Sequence, residues 1–527
     1  MLSMQRSGYG GVKKWIAAVL ALALCLPLLW VPAPAEASVP DGVYAFGSHG
    51  SGQLGFGDWR GPTGLRQART PTRVESLGNV KDVAAGDDHS LVLLHNGDVY
   101  SFGQNQWADT ACGYLGHGDK EDRNIPTRIE GIGRAKAIGA GRYTSYIILE
   151  NGDLFSFGRN TSGELGVGDY DYRLVPTRVE GISNAVKVDG GQSHTLVLLE
   201  NGDVYGFGAT NYMLGIWPEK GDTGSRFNTP QQVPLPGPAR DIAAGGLHSL
   251  VLLDNGDVYS FGNGLRGQLG HAEAKNIGIP TKIEGLGPAK AVAAGSDYSM
   301  VLLENRDLYS FGYNNLGQLG LGDRENRNQP TRVDALSGVS MMDAGYRHAL
   351  VVLENGDVYT FGEGLSGKLG HGNTETKTTP TLVETLAGNN ALAVAGGFHH
   401  SLVVVGTPPI TIEIDGQLLH TDVPPIILQG RTMVPLRAIF EALDIEVEYD
   451  AATRTITGTT DEINIQLTVD STRATVNGEE VTLDVPATVI DGRTMVPVRF
   501  IAESTGAEVE WEARTRTVLI TTDRGEN

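Results

Sequence analysis

Phe-Gly recurs at residues 46, 102, 157, 207, 261, 311 and 361, so the chain repeats at intervals of 56, 55, 50, 54, 50 and 50 residues. A period of this size marks an array of supersecondary units, none of which buries its apolar face alone. The unit is plainest at 307–355, DLYSFGYNNLGQLGLGDRENRNQPTRVDALSGVSMMDAGYRHALVVLEN. In LVLLHNGDVYSF (91–102), Asn96-Gly97 separates two apolar, β-rich runs, which predicts a hairpin with a type I′ turn. The pair recurs at Asn151-Gly152, Asn201-Gly202, Asn255-Gly256 and Asn355-Gly356; the sixth unit has Asn305-Arg306, where a positive φ is less comfortable. Period two puts Tyr100 and Phe102 on one strand face and Val99 and Ser101 on the other, which suits sheets packed side by side. PTRVEG (176–181) and KAVAAG (290–295) exemplify a third and a fourth strand.

Four short strands in each of seven units predict an all-β, seven-bladed β-propeller over residues 39–406. The ends of the array complete each other. DGVYAFG (41–47) has no HSLVLL-type strand before it, and HSLVVVG (400–406) has no NGDVY-type strand after it, so the two are predicted to pair in one composite blade. Glycine, 71 of 527 residues against a usual share of about 7%, is accounted for by these turns.

GDVYSFG, GQLGLGD, PTRVEG and AGDDHSLVLL resemble the repeats of the regulator of chromosome condensation (RCC1) family, a seven-bladed propeller. The family's eukaryotic founder is a guanine-nucleotide exchange factor for a small nuclear GTPase and also binds nucleosomes. Secreted bacterial proteins with this propeller act by binding, one of them as a β-lactamase inhibitor. The resemblance therefore implies a binding scaffold, with exchange-factor-like activity as the alternative and inhibition of a secreted enzyme as a third possibility.

Residues 1–37 read as an export signal: Lys13 and Lys14, the apolar run WIAAVLALALCLPLLW (15–30), and Ala35-Glu36-Ala37 as the cleavage site. The run of 16 residues is short of the roughly 20 a spanning helix needs, so no membrane span is expected after cleavage. The mature chain would carry 38 basic and 61 acidic residues, a net of −23, which argues against nucleic acid as a partner. It would keep a single cysteine, Cys112. A secreted or cell-wall-associated monomer is expected, engaging an extracellular protein, a glycan or another cell-wall component.

No catalytic, cofactor or metal residues are assigned. His89, His194, His248, His348 and His400 share one slot, with Thr144 and Tyr298 in the other two copies, and read as structural side chains satisfying strand-end backbone groups. Asp58, Asp119, Asp169 and Asp323 read as turn formers. GxSxG, HExxH and Walker patterns are absent. The candidate partner-binding residues are aromatics in the variable loops before the PTRV strand: Trp59, Trp107, Tyr170, Tyr172, Tyr212 and Trp217. Each tryptophan either anchors a partner or plugs its own longer loop.

After Thr407-Pro408-Pro409 a second repeat begins, with 422–460 matching 484–522 at an offset of 62. Each half (about 408–460 and 470–522) predicts a hairpin at Asp415-Gly416 or Asn477-Gly478, a short helix (436–443, 498–505) and a strand pair, packed together as one small α+β domain. GRTMVPLR and GRTMVPVR resemble the copper amine oxidase N-terminal-like domain, a stalk-type module, over 408–522. A lone His420 cannot supply a copper ligand set. Arg431, Arg437, Arg493 and Arg499 are expected to form ion pairs within the module's 21 acids.

Overall fold

The computed structural model describes residues 39–522 except 61–63, 65, 108–109, 112, 211, 217–224, 408–409, 422, 491 and 513–515, and except the side chains of residues 107, 110 and 111. The predicted signal 1–37, Cys112 and Trp217 lie outside the described residues, as does the side chain of Trp107.

Alternating apolar strands separated by Gly-containing turns form seven four-stranded antiparallel sheets. In the first, Val80–Ala85, His89–Leu94, Val99–Gly103 and Arg123–Arg128 lie side by side in chain order, and five more sheets keep that order. The seventh is the composite one, Ala391–Gly396, His400–Val405, Gly42–Ser48, Gln67–Arg73. Its register pairs Gly42 with Val405 and Gly47 with His400, the pairing that the incomplete ends predicted. The first strand of every sheet lines a central cavity of about 270 Å³.

Neighbouring blades lock through the Phe-Gly strands. Phe46, Phe102, Phe157, Phe207, Phe261, Phe311 and Phe361 are all fully buried. Each packs on the last glycine of the GQLG-type loop of the blade before it. A β-carbon at Gly55 would stand 3.0 Å from the Phe102 ring, and one at Gly370 would stand 3.2 Å from the Phe46 ring, so the same contact also closes the circle. These glycines are left-handed too, φ 70° and 80°.

The propeller hairpins differ from the predicted type I′ turn. Leu94 N–H donates to Asp98 O and Gly97 N–H donates to Leu94 O, so the loop has three residues, and among them only glycine is left-handed, φ 86°. Asn96 uses its side chain instead: its Oδ1 accepts from Asp98 N–H at 3.0 Å and its Nδ2 donates to the Asp98 carboxylate at 2.9 Å. That is a type I turn closed by a glycine bulge. In the sixth unit the left-handed slot falls to Arg306, φ 68°, which also pairs with Glu354. Arg306→Gly is expected to raise stability by about 0.5–1 kcal/mol, the relief of the left-handed β-carbon exceeding the loss of an exposed ion pair. Urea unfolding measures this; an unchanged or lower midpoint would mean the turn is not strained.

In the carboxy-terminal module the predicted hairpins form, and their two-residue turns are type I′, with Asp415 and Gly416 at φ 50° and 78° and Asn477 and Gly478 at 53° and 84°. Helices α1 (Leu436–Ala442) and α2 (Val498–Ser504) each follow Val-Pro. Arg431–Pro435 pairs with Arg493–Pro497, and Val434 faces Val496, its counterpart at the repeat offset, so the internal two-fold passes through this pair. Ile439 and Phe440 of one half and Ile501 and Ala502 of the other share one core. Thr411–Ile414 runs parallel to Thr517–Thr521, tying the module's first strand to its last. Arg431 pairs with Asp484 at 2.6 Å, Arg437 with Glu441 at 3.9 Å and Arg499 with Glu503 at 3.8 Å, the structural role expected for them.

Candidate functional site

His89 pairs with Gly103 across the sheet, so the second strand begins where the third ends. The loop from first to second strand and the loop from third to fourth strand therefore open on one face of the ring. The Asn-Gly hairpins open on the other.

The first of these loops is a two-residue segment between an Ala-Gly, Gly-Gly or Gly-Ala-Gly strand end and the His slot. Its seven versions are Asp87-Asp88, Arg142-Tyr143, Gln192-Ser193, Gly246-Leu247, Ser296-Asp297, Tyr346-Arg347 and Phe398-His399. Their backbones join around the cavity mouth. Asp87 N–H donates to Arg142 O (3.2 Å), Arg142 to Gly191 O (3.2 Å), Gln192 to Gly246 O (3.3 Å), Gly246 to Gly295 O (3.0 Å), Ser296 to Tyr346 O (3.1 Å), Tyr346 to Gly397 O (3.1 Å) and Phe398 to Gly86 O (3.2 Å). A closed circle of backbone hydrogen bonds thus carries seven different pairs of side chains. Sequence reasoning missed this ring, although the variable slot between repeated Gly and His positions was visible in it.

The histidines sit directly beneath. Each of the five is fully buried, and its Nε2 meets a serine of the next blade: His89 and Ser145 at 3.0 Å, His194 and Ser249 at 3.0 Å, His248 and Ser299 at 2.8 Å, His348 and Ser401 at 2.8 Å, His400 and Ser90 at 2.9 Å. Each serine also donates its one proton to a loop carbonyl, as Ser299 does to Gln268 O at 2.8 Å. The histidine must therefore be the donor, neutral and protonated on Nε2, with Nδ1 left without a partner. Burial pushes His89 and His194 down to about 4 and His248 and His400 down to about 3. A Ser Oγ–His Nε2 contact is the geometry of an activated nucleophile, but here the serine proton points at a carbonyl rather than at the imidazole. The expected partner, strand-end backbone, is corrected to an inter-blade hydroxyl. The two exceptions compensate: Tyr146 OH bridges Thr144 and Thr195, and Tyr298 OH reaches His348 O at 2.5 Å past Ala349, where other copies carry a hydroxyl.

The aspartates of the long loops are turn formers with an added clip. Asp119 Oδ1 accepts from Glu121 N–H at 3.0 Å, and its carboxylate binds Arg123 at 2.7 Å, which holds it well below the usual carboxylate range, at about 2. Asp169–Arg173 (2.6 Å) and Asp323–Arg327 (2.5 Å) repeat the clip. At the mouth, burial raises Asp87 to about 7 against the pull of Arg142 at 2.8 Å, and raises Asp88 to about 6 against a 2.8 Å bond from Gln53. In the cavity, Asp189 and Asp343 accept from Ala244 N–H (2.8 Å) and Gly396 N–H (2.7 Å), stapling one inner strand to the next. Among the described residues no three His, Cys, Asp or Glu side chains converge as a metal site.

The predicted aromatics among the described side chains, Trp59, Tyr170, Tyr172 and Tyr212, belong to loops of this face. Trp59 is 42% exposed at a loop tip where Asp58 Oδ1 accepts from Arg60 N–H. It does not plug the core, so Trp59→Ala is expected to change stability by no more than about 0.5 kcal/mol in urea unfolding; a larger loss would restore the plug. Tyr170 is exposed but engaged, its ring 5.0 Å from the Arg226 guanidinium and its OH 3.3 Å from Arg226 O. Tyr172 is half-buried, and Tyr212 is half-buried and left-handed, φ 71°. Tyr170 and Tyr172 share one loop and Tyr212 stands in the loop of the next blade, whereas Trp59 belongs to the composite blade. Tyr346 and Phe398 do come together, their rings stacked at 3.8 Å.

The model of the RCC1-like domain matches residues 37–287, and models of the RCC1 repeat match 289–318, 307–352 and 355–404. The ring is an RCC1-family propeller. The RCC1-family ring is 29% identical over 246 residues to the protein RCC2 homolog of Danio rerio, covering 46% of this chain and 42% of that one. It is 32% identical over 251 residues to the ultraviolet-B receptor UVR8 of Arabidopsis thaliana, covering 46% and 42%. It is 37% identical over 234 residues to the human X-linked retinitis pigmentosa GTPase regulator, covering 43% and 22%. The chain thus spans less than half the length of these relatives. Among solved structures, human WBSCR16 aligns over 70% of this chain and 100% of its own, with TM-score 0.61 and 22% identity. Prp20p of Saccharomyces cerevisiae, described with its binding to Gsp1p and histones, aligns over 70% and 92%, with TM-score 0.62 and 22% identity. At that identity the likeness establishes the fold. Residues 413–520 match the copper amine oxidase N-terminal domain.

Proposed function

We propose that this chain is an exported binding protein whose RCC1-family ring presents its loop face to a protein outside the cytoplasm, with the acidic carboxy-terminal module as a stalk. The observation that carries this reading is the circle of seven unlike residue pairs on a backbone otherwise repeated sevenfold. Side-chain variation on a rigidly held, half-buried rim at the cavity mouth is what recognition requires. The signal-like segment 1–37 and the net charge support an extracellular setting. Among the described residues no helix is long and apolar enough to cross a membrane. Cell fractionation with determination of the mature amino terminus tests this: the expected product lacks residues 1–37 and is found outside the cytoplasm.

A second reading, exchange-factor-like action on a small GTPase, draws on the relatives, one of which is named a GTPase regulator. Its test is nucleotide release from a small GTPase of the same cell, and acceleration would favour it over extracellular binding.

A further inference from the structure

Arginine stacks on tyrosine five times among the described residues, every time on the loop face: Arg142 and Arg159 on Tyr143 (5.0 and 5.6 Å), Arg226 on Tyr170 (5.0 Å), Arg266 on Tyr313 (4.7 Å) and Arg347 on Tyr346 (5.2 Å). Three of these guanidinium groups have acceptors. Arg142 binds Asp87 at 2.8 Å, Arg159 lies 3.3 Å from Glu164, and Arg226 donates to Thr161 O at 2.7 Å. Arg266 and Arg347 have none among the described residues, in a chain with 62 acids to 41 bases. Stacking holds the guanidinium plane and leaves its N–H edge for a bidentate acceptor. The platform under Arg347 is itself fixed by the Tyr346–Phe398 stack. Leu265, next to Arg266 in the chain, is 62% exposed, and Leu365, two residues on from Glu363 whose N–H donates to Arg347 O at 2.9 Å, is 57% exposed.

We propose that this sector of the loop face binds an acidic peptide segment of the partner, with its carboxylates on Arg266 and Arg347 and its apolar side chains on Leu265 and Leu365. The inference rests on the binding reading above and names the chemistry of the partner. Charge complementarity selects the occupant: two guanidinium groups without an acceptor of their own among the described residues favour a segment that brings carboxylates to them. A phosphate polymer would offer the arginines acceptors but has nothing to place on the leucines.

The test uses the mature full-length chain and a random short-peptide library. Selected peptides are expected to be enriched in Asp and Glu beside apolar residues. The Arg266→Gln/Arg347→Gln variant is expected to bind them at least about tenfold more weakly, while Arg134→Gln, an equal change of charge per site in the opposite-face connections, leaves binding unchanged. Circular dichroism checks that the double variant stays folded. Selection of no peptide, selection without acid enrichment, equal loss in Arg134→Gln, or displacement of the peptides by polyphosphate at lower concentration would each overturn the proposal. If the double variant still captures a partner through other loop-face positions, this inference fails while the binding reading stands.

Discussion

Ala45→Pro is expected to cost about 3 kcal/mol or more and to destroy cooperative unfolding of the ring. Ala45 is fully buried in a strand paired on both sides, with Leu402 across one ladder and Thr72 across the other. Proline there removes a ladder N–H and pushes its ring into the neighbouring strand. The damage is not confined to one blade. Gly42–Ser48 joins the array's two ends, and Phe46 of that strand fills the contact with Gly370 of the preceding blade. Loss of the strand leaves two open sheet edges, which invite pairing with other chains. Urea unfolding followed by circular dichroism reads the effect, with aggregation as its companion. A midpoint close to the parent's would mean that the ring is stable without its closing strand.

The stability of His248→Gln relative to the parent is expected to rise by about 2 kcal/mol between pH 7 and pH 5. Burial holds the folded imidazole down at about 3, against an ordinary value of 6.5. Above about 6.5 neither folded nor unfolded chain binds the proton, and the histidine's contribution is complete. As the pH falls from 6.5 toward 3, the unfolded chain takes up a proton that the folded chain refuses, and that contribution is lost. Glutamine can donate to Ser299 without titrating. Among the described residues seven carboxyls act in the opposite sense: burial raises Asp122, Glu164 and Asp343, and it brings Asp82 and Asp88 up to about 6 and Asp87 and Asp189 up to about 7. Their folded forms keep a proton in acid, and that stabilisation is lost as the pH rises through the folded values, about 6 to 7 for the last four. The parent's own profile is therefore a balance of the two sets, whereas the variant-to-parent difference isolates His248. A difference that stays flat with pH would mean that His248 takes up its proton in the folded ring as readily as in the unfolded chain.

The ring was legible in the sequence because each unit repeats both its strand periodicity and its punctuation, and because the incomplete ends at 41–47 and 400–406 supplied each other's partners. The hairpin type was not legible. The same Asn-Gly pair makes a type I′ turn at Asn477-Gly478, yet in the ring Asn96 bonds Asp98 through its side chain, and one further residue enters the loop. The histidine slot was read as structural, but its partner lies in the next blade, about one repeat away, and no local pattern points there. The aromatic loops stood out by length and tryptophan content, while the two-residue loops kept constant length and drew no notice. Tyr346 and Phe398 belong to successive copies and meet only because the ring brings blade to blade.

Site-specific photo-crosslinking on the exported chain tests the central claim most directly. With the crosslinking side chain at Leu365 on the loop face, one discrete protein adduct is expected from intact cells, and with it at Asn151 on the hairpin face, none. Equal capture from both faces, or capture from Asn151 alone, would contradict the assignment of the loop face as the binding surface.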